Sequence, residues 1–235
     1  MLHIPWTHIF AFLGAVLSNA AYAQGYPAKS VRYIVPSLPG GGSDIVGRMM
    51  AAHLSQTFKQ QVVVDNRAGG GGNIGAEIAA KSMPDGHTIF QMAVTHTINV
   101  TLYKNLAYDP VCDFTPITHR HRHRHAACAD RALAVTSPKR VPLIPEYPTI
   151  AESGYPGYES ETWFGLMLPV KTPKNVVATV RSAALAALNA PEVNKRLIEL
   201  AFIPIGDSAA EFTTYIQSEI ATYGKLAREL KVTSE

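Results

Sequence analysis

Two glycine-rich turns hold the residues best suited to chemistry. The first, Pro39-Gly40-Gly41-Gly42-Ser43-Asp44, follows the apolar run Val31-Arg-Tyr-Ile-Val35 and opens a helical pattern over 45–58. A helix start offers N–H groups with no intrahelical acceptor, and together with the helix dipole these attract an anion. No Lys or Arg lies inside the turn, so backbone dipoles would do the holding. The second turn, Gly69 to Gly72, precedes Asn73, and Gly70, Gly72 and Gly75 formally spell G-x-G-x-x-G, the dinucleotide-binding fingerprint. That fingerprint wants its first glycine tight against a strand end, yet Asn66 to Gly69 intervene, and Asp85, an acidic residue at a suitable distance, falls in a turn. An NAD-dependent enzyme is therefore the remote alternative. The nearer readings are a permissive loop or a second anion cradle beside the first.

No catalytic constellation emerges. Gly40 to Gly47 lacks the Gly-Lys-Ser/Thr of a P-loop, and Ser43 is not in G-x-S-x-G. His53, His87 and His96 have no nucleophile positioned near them in sequence, and Asp44 reads as a helix N-terminal cap before it reads as a general base. His119-Arg-His-Arg-His-Arg-His125 resembles a short polyhistidine tract, but its arginines repel cations and no carboxylate or thiolate completes a closed site. Neither a selected metal site nor a cofactor is expected. Cys112 and Cys128 show no metal-ligand or CxxC spacing, and whether they pair is left open.

The elements that must position these turns follow from periodicity. Short apolar runs at 31–35, 61–65 and 87–94 read as strands, and 45–58 and 74–82 as helices, the second capped by Asn73. Strand and helix in alternation imply a parallel sheet with right-handed crossovers. Ile45, Met49, Ala52, His53 and Phe58 mark the face of the first helix expected to meet the sheet. After Tyr108-Asp-Pro110 the pattern breaks into the His-Arg run, which has no apolar period. A strand is expected at 131–136, a Pro-rich extended stretch at 138–156 and a buried strand at 163–169. Thr172-Pro173 reads as an N-cap with Pro at the first helical position, leading a helix with Val176, Val177, Val180, Leu185 and Leu188. Pro191 starts another, and Ser208 to Glu211 is a capping box before the stripe Phe212, Ile216, Ile220, Tyr223 and Leu226.

The 235 residues carry a net charge of only +3, and no basic face with interleaved aromatics suggests nucleic acid. The apolar run 9–17 followed by Ala21-Tyr-Ala23 has the pattern of a secretory signal cleaved near Ala23, although residues 1–8 lack the usual Lys or Arg. The run is too short to span a bilayer, so the mature chain is expected to be soluble and exported.

Several stretches together resemble one family. They are 26–36, Pro39-Gly-Gly-Gly-Ser-Asp44, 64–76, Pro84-Asp-Gly-His-Thr88, Leu102-Tyr103 with Tyr108-Asp-Pro110, Asp113-Phe-Thr-Pro116, 131–136, 148–152 and Trp163-Phe-Gly-Leu166. In this order they resemble the Bug-type periplasmic solute receptors, the extracytoplasmic binding component of tripartite tricarboxylate transporters. The resemblance implies an α/β periplasmic-binding-protein-like fold (type II, Venus flytrap) that is not an enzyme, with an organic acid or amino acid held between two lobes and presented to membrane permease subunits. It also implies which residues hold the ligand carboxylate: Leu38, Pro39, Gly40, Gly41, Gly42, Ser43 and Asp44, joined by Gly72, Asn73, Thr95 and His96.

One departure matters. Where the family builds its second lobe, this chain has only residues 117–130, and a lobe needs on the order of 100 residues. The expected organisation is a signal peptide at 1–23, the N-terminal part of the first lobe at 24–118, and a low-complexity His/Arg junction at 119–130 in place of the second lobe. Residues 131–235 supply a hinge-proximal strand and the rest of the first lobe. The expected architecture is thus reduced to essentially one lobe by an internal deletion.

Overall fold

The computed structural model describes residues 25–123, 133–141 and 144–232, with the backbone alone described for 119–123. The signal-peptide reading and the Cys128 half of any disulfide lie outside the described residues. The elements are β1 (Val31–Val35), α1 (Gly42–Phe58), β2 (Val62–Asn66), α2 (Asn73–Ala80), β3 (Thr88–Ala93), α3 (Val94–Leu102), β4 (Phe114–His123), β5 (Thr162–Pro169), α4 (Lys174–Asn189), α5 (Pro191–Glu199), β6 (Phe202–Pro204) and α6 (Ala209–Leu230). The strands form one sheet in the order β2-β1-β3-β5-β4-β6.

β1 lies between β2 and β3 and is parallel to both, as the alternation of strand and helix requires. The expectation of a parallel sheet fails beyond β3. There β5 runs antiparallel to β3, β4 antiparallel to β5, and β6 antiparallel to β4. The central strands bury side chains on both faces. Tyr33, Val35, Ile89, Phe164 and Leu166 meet α1, α4 and α5 on one side. Ile34, Phe90, Met92, Trp163 and Met167 meet α2 and α6 on the other. Such two-sided burial is why these strands read as continuous apolar runs without alternation.

The face of α1 differs from expectation. Val46, Gly47, Met50, Ala51, Leu54 and Phe58 turn inward, while Ile45 remains 39% exposed. Gly47 explains the rotation. A Cβ built there would lie 2.7 Å from Val35 Cγ2 and 3.2 Å from Gln91 Oε1, so the helix rests its bare backbone on β1 and β3. Close approach at a small residue outweighed the larger side chain at 45, while Met49 stays half-buried against the core.

Three other boundaries move. Of the strand expected at 131–136, the described part makes a single bridge, Val135 to Thr149, and the described residues of 138–156 form mainly turns and bends. That segment is tied locally: Glu152 accepts from Thr149 N–H at 2.9 Å and from Arg140 Nε at 2.9 Å. Pro173 itself takes the N-cap position of α4, while the Thr172 hydroxyl donates to the Pro169 carbonyl at 2.7 Å. The His-Arg run continues β4, with the backbone of His121, Arg122 and His123 in register with Phe164, Trp163 and Thr162. Main-chain pairing needs no apolar period in the side chains. The capping box is present as read, with Glu211 N–H donating to Ser208 Oγ at 3.2 Å and Ser208 N–H to Glu211 Oε2 at 2.8 Å.

Filling the contact at Gly47 tests the close approach. Gly47→Ala should lower the free energy of unfolding by about 1–3 kcal/mol, as overpacking does, measured by urea denaturation. A stability gain of the size expected for Gly→Ala in an open helix would mean that α1 does not rest on β1 in this way.

Candidate functional site

The crossover from β1 goes through α1 on one face, and β3 leads directly into α3 on the other. Adjacent β1 and β3 therefore form a topological switch point, and the crevice beyond their C-terminal ends is where such sheets bind ligands. Two helix starts flank it. The first turn of α1 comes from Gly42, Ser43 and Asp44, with Gly41 as an extended N-cap. The first turn of α3 comes from Val94, Thr95 and His96, with Ala93 as N-cap.

The glycine turn after β1 is locked by a buried carboxylate. Asp44, 3% exposed, accepts from Gly40 N–H (2.9 Å), Arg48 Nε (2.9 Å) and the Asn66 amide (2.9 Å). Asn66 also donates to Ser37 carbonyl oxygen at 3.1 Å and accepts from Arg48 Nη2 at 3.1 Å, joining the ends of β1 and β2. Burial works to raise the Asp44 pKa, but Arg48, the Gly40 amide and Asn66 outweigh it and hold the carboxyl below its ordinary value. The expected cap is thus a carboxylate in the first turn that reaches back to the preceding loop, its three acceptor bonds and depressed pKa suiting it to a structural role and not to general-base work. Gly40 needs its freedom, at φ +87°. Leu38 is 73% exposed, and Pro39, Gly40, Gly41 and Gly42 are exposed with it.

Gln91 braces the same helix start from β3. Its Nε2 donates to the Ser43 carbonyl at 2.9 Å and to Ser43 Oγ at 2.8 Å, and its Oε1 accepts from Tyr33 at 3.0 Å. Burial pushes the Tyr33 hydroxyl up, so it remains a donor. Sequence reasoning missed Gln91, Asn66 and Arg48. A glutamine inside the apolar run Thr88 to Ala93 was the available signal, because a buried polar side chain needs partners.

The tetraglycine loop is built differently from a second cradle. All four residues have positive φ: 116°, 56°, 67° and 93° from Gly69 to Gly72. The Gly72 N–H closes on Gly69 carbonyl oxygen at 3.0 Å, and the Asn73 N–H on that of Gly70. Those two amides are therefore occupied within the loop. Asn73 does not cap α2 with its side chain. Its Oδ1 accepts from Asn99 (2.7 Å) and Tyr108 (2.8 Å). The dinucleotide fingerprint fits no better, because β2, the strand before this loop, lies at the sheet edge and away from the switch point.

Thr95 is exposed, whereas His96 is 0% exposed beneath the loop. His96 Nδ1 accepts from Ala93 N–H at 3.0 Å, and its ring lies edge-on to Phe90. Burial pushes its pKa down to about 4, with the backbone of Ala93 and Gly72 partly opposing, so the imidazole is neutral near pH 7 and brings no positive charge. Among the described residues, no group of three His, Cys, Asp or Glu could hold a metal. The side chains of the His-Arg run lie outside the described residues.

Fold and crevice define the class: an α/β protein of the periplasmic-binding-protein type. A structure of the periplasmic binding protein BugD matches with a TM-score of 0.81 at 23% identity, covering 89% of this chain and 100% of that one. An R. palustris protein solved with adipate matches with a TM-score of 0.81 at 25% identity and the same shares. The UPF0065 protein in the tcbD-tcbE intergenic region of Pseudomonas sp. (strain P51) is 26% identical over 303 aligned positions, covering 92% of this chain and 90% of that protein. The tripartite tricarboxylate transporter family receptor, as a family, matches residues 46–126 and 122–232. The chain belongs to that family, as a receptor of the Bug type.

The lock at Asp44 has a pH signature. Its folded-state pKa lies below the unfolded value, so its contribution is complete above about pH 4 and is lost as pH falls through the folded value. Arg48 keeps 55% of its side chain in water, so hydrogen bonds carry more of this stability than the ion pair does. Asp44→Asn should lower stability at pH 7 by about 1–3 kcal/mol and flatten the loss below about pH 4, read from urea titrations. Equal acid slopes in both proteins would exclude a depressed Asp44.

Proposed function

We propose that this chain is an exported, periplasmic solute-binding receptor, not an enzyme, that holds the carboxylate of a small organic acid or amino acid at the start of α1. It then presents the ligand to the membrane permease subunits of a tripartite tricarboxylate transporter. The observation that carries this reading is the first turn of α1 at the β1/β3 switch point. The amides of Gly41, Gly42 and Ser43 have no intrahelical acceptor. Asp44 has already taken Gly40 and is itself held by three donors. An incoming carboxylate meets three directed donors and a helix dipole.

In this reading Leu38, Pro39 and Gly40 shape the mouth, and Thr95 flanks it at the start of α3. Gly72, Asn73 and His96 act by fixing the neighbouring wall. The adipate-bound relative at 25% identity supports a carboxylate as cargo. Family membership supports a periplasmic location and partnership with a permease, and the apolar run 9–17 before Ala21-Tyr-Ala23 supports export with cleavage near Ala23.

The receptor is shortened internally. In support, 303 aligned positions with the Pseudomonas relative exceed the 235 residues of this chain, so residues of that relative fall opposite gaps here. The family match also falls into two stretches that meet at 122–126, inside the His-Arg run. These observations favour a second reading as well: a non-transporting product of a damaged gene that folds as a single lobe or misfolds. Sequencing the codons for residues 116–131 tests the deletion that both readings share. An intact longer reading frame would remove the deletion altogether.

With one lobe the anion stays wet, so affinity for adipate or citrate should be about millimolar or weaker. Calorimetry giving a tight one-to-one complex would refute the single-lobe reading. Gly42→Pro tests the donors. Proline suits the first helical position, the extended Gly41 before it accommodates the ring, and a Cβ there meets only Phe202 at 3.8 Å. The variant should keep its melting temperature and lose about fivefold or more in carboxylate affinity, the effect of deleting one charge-assisted hydrogen bond. Unchanged affinity would move the anion away from this turn.

A further inference from the structure

We infer that Asn99 is a positioning residue for the anion turn, acting through the tetraglycine loop; this rests on the reading of the α1 start as the carboxylate site. Asn99 is buried on α3, and its Nδ2 donates both to Gly71 carbonyl oxygen (3.1 Å) and to Asn73 Oδ1 (2.7 Å). One side-chain amide thus uses both its hydrogens to fix the middle and the end of the loop. The Tyr108 hydroxyl secures Asn73 Oδ1 from a second direction at 2.8 Å. Four consecutive residues at positive φ have no side chains of their own to hold this shape, so it depends on such outside partners.

The clamped loop has no slack toward the crevice. A Cβ at Gly72 would lie 3.0 Å from His96 Nε2 and 3.3 Å from Pro36 Cβ, and one at Gly75 would lie 3.2 Å from Pro36 Cβ. Pro36 is the first residue after β1, and its ring fixes φ. The segment from Ser37 to Gly41 hangs from it. α3 therefore holds the loop, the loop abuts Pro36, and Pro36 sets where the amides of Gly41, Gly42 and Ser43 begin. The loop's own Gly72 and Asn73 amides are internally bonded, so its influence passes through shape and not through donation. A hydrogen-bond donor aimed at a carboxylate loses much of its worth when displaced by a fraction of an ångström.

The test is an amide NMR titration of the full chain with adipate as the probe. In the wild-type protein, adipate should shift the amides of Gly41, Gly42 and Ser43. Asn99→Asp keeps the size of the side chain and removes both donations. It should displace those three amide signals before any adipate is added and weaken adipate binding about tenfold. Val180→Ala, in the core on the opposite face of the sheet, serves as a control that lowers stability without touching α3. It should leave the three amides and the affinity as in wild type. Should Asn99→Asp fail to fold, Tyr108→Phe removes only the hydroxyl on Asn73 and should displace the same amides in the same direction, with a loss of about threefold. Wild-type amides and affinity in the Asn99 or Tyr108 variant, or equal changes in Val180→Ala, would overturn the inference and leave the carboxylate site standing. Absence of any adipate response at Gly41 to Ser43 in the wild-type protein would remove the site itself, and the inference with it.

Discussion

A carboxylate buried at the start of a helix must be neutralised by what lies within reach, and the arrangement around Asp44 follows from that need. Its oxygens accept from Gly40 N–H, Arg48 and Asn66. Each donor belongs to a different piece of the structure: the turn after β1, the second turn of α1 and the end of β2. Satisfying one charge therefore fixes the positions of three segments. An unsatisfied carboxylate here would cost several kcal/mol, which favours a single conformation of the turn. The same bonds leave the amides of Gly41, Gly42 and Ser43, which have no intrahelical acceptor, as the donors of the proposed carboxylate site. Negative charge inside the turn does not conflict with that proposal, because Asp44 is matched on its own side.

The glycine turns were legible as turns, and the first was legible as the start of a helix with unpaired amides, because every helix start carries them whatever the fold. The second could not be read to the same depth. Four glycines announce freedom of φ, but freedom does not say which amides close on the loop itself. Gly72 on Gly69 and Asn73 on Gly70 are local bonds, yet their geometry is set by Asn99, nearly thirty positions away in sequence. Nothing in the spacing of Gly70, Gly72 and Gly75 encodes that distant partner.

The elements followed the same division between local and distant causes. β1, β2 and β3, their two helices and the Ser208 capping box depend on neighbours in sequence, and they stand within a few residues of where the pattern places them. The inward face of α1 does not. Ile45 outranks Gly47 on any hydrophobicity scale, but the helix seats where its backbone can approach Val35 and Gln91. The antiparallel pairing of β5 with β3 and β4 is a property of topology, and a buried strand has the same apolar run in either direction. Main-chain pairing likewise carries β4 through His123, where side-chain pattern predicted a break.

What one lobe can do with a carboxylate follows from the dielectric. Two unit charges 4 Å apart interact by about 1 kcal/mol in water and by about 4 kcal/mol at an effective dielectric constant near 20. Helix-start amides carry only partial charge, so their pull on an open crevice is weaker still. Closure of a second lobe would exclude water from around the same donors and so strengthen each of them. A receptor that keeps the α1 start, Gln91 and the Asp44 lock retains the geometry of recognition but loses most of its strength. Selectivity that depends on the direction of the Gly41, Gly42 and Ser43 amides survives such a loss, because direction is set from below by β3 and α3. Affinity that depends on excluding water does not. On the proposed single-lobe reading, therefore, the choice of charge and the tightness of binding rest on different parts of the fold.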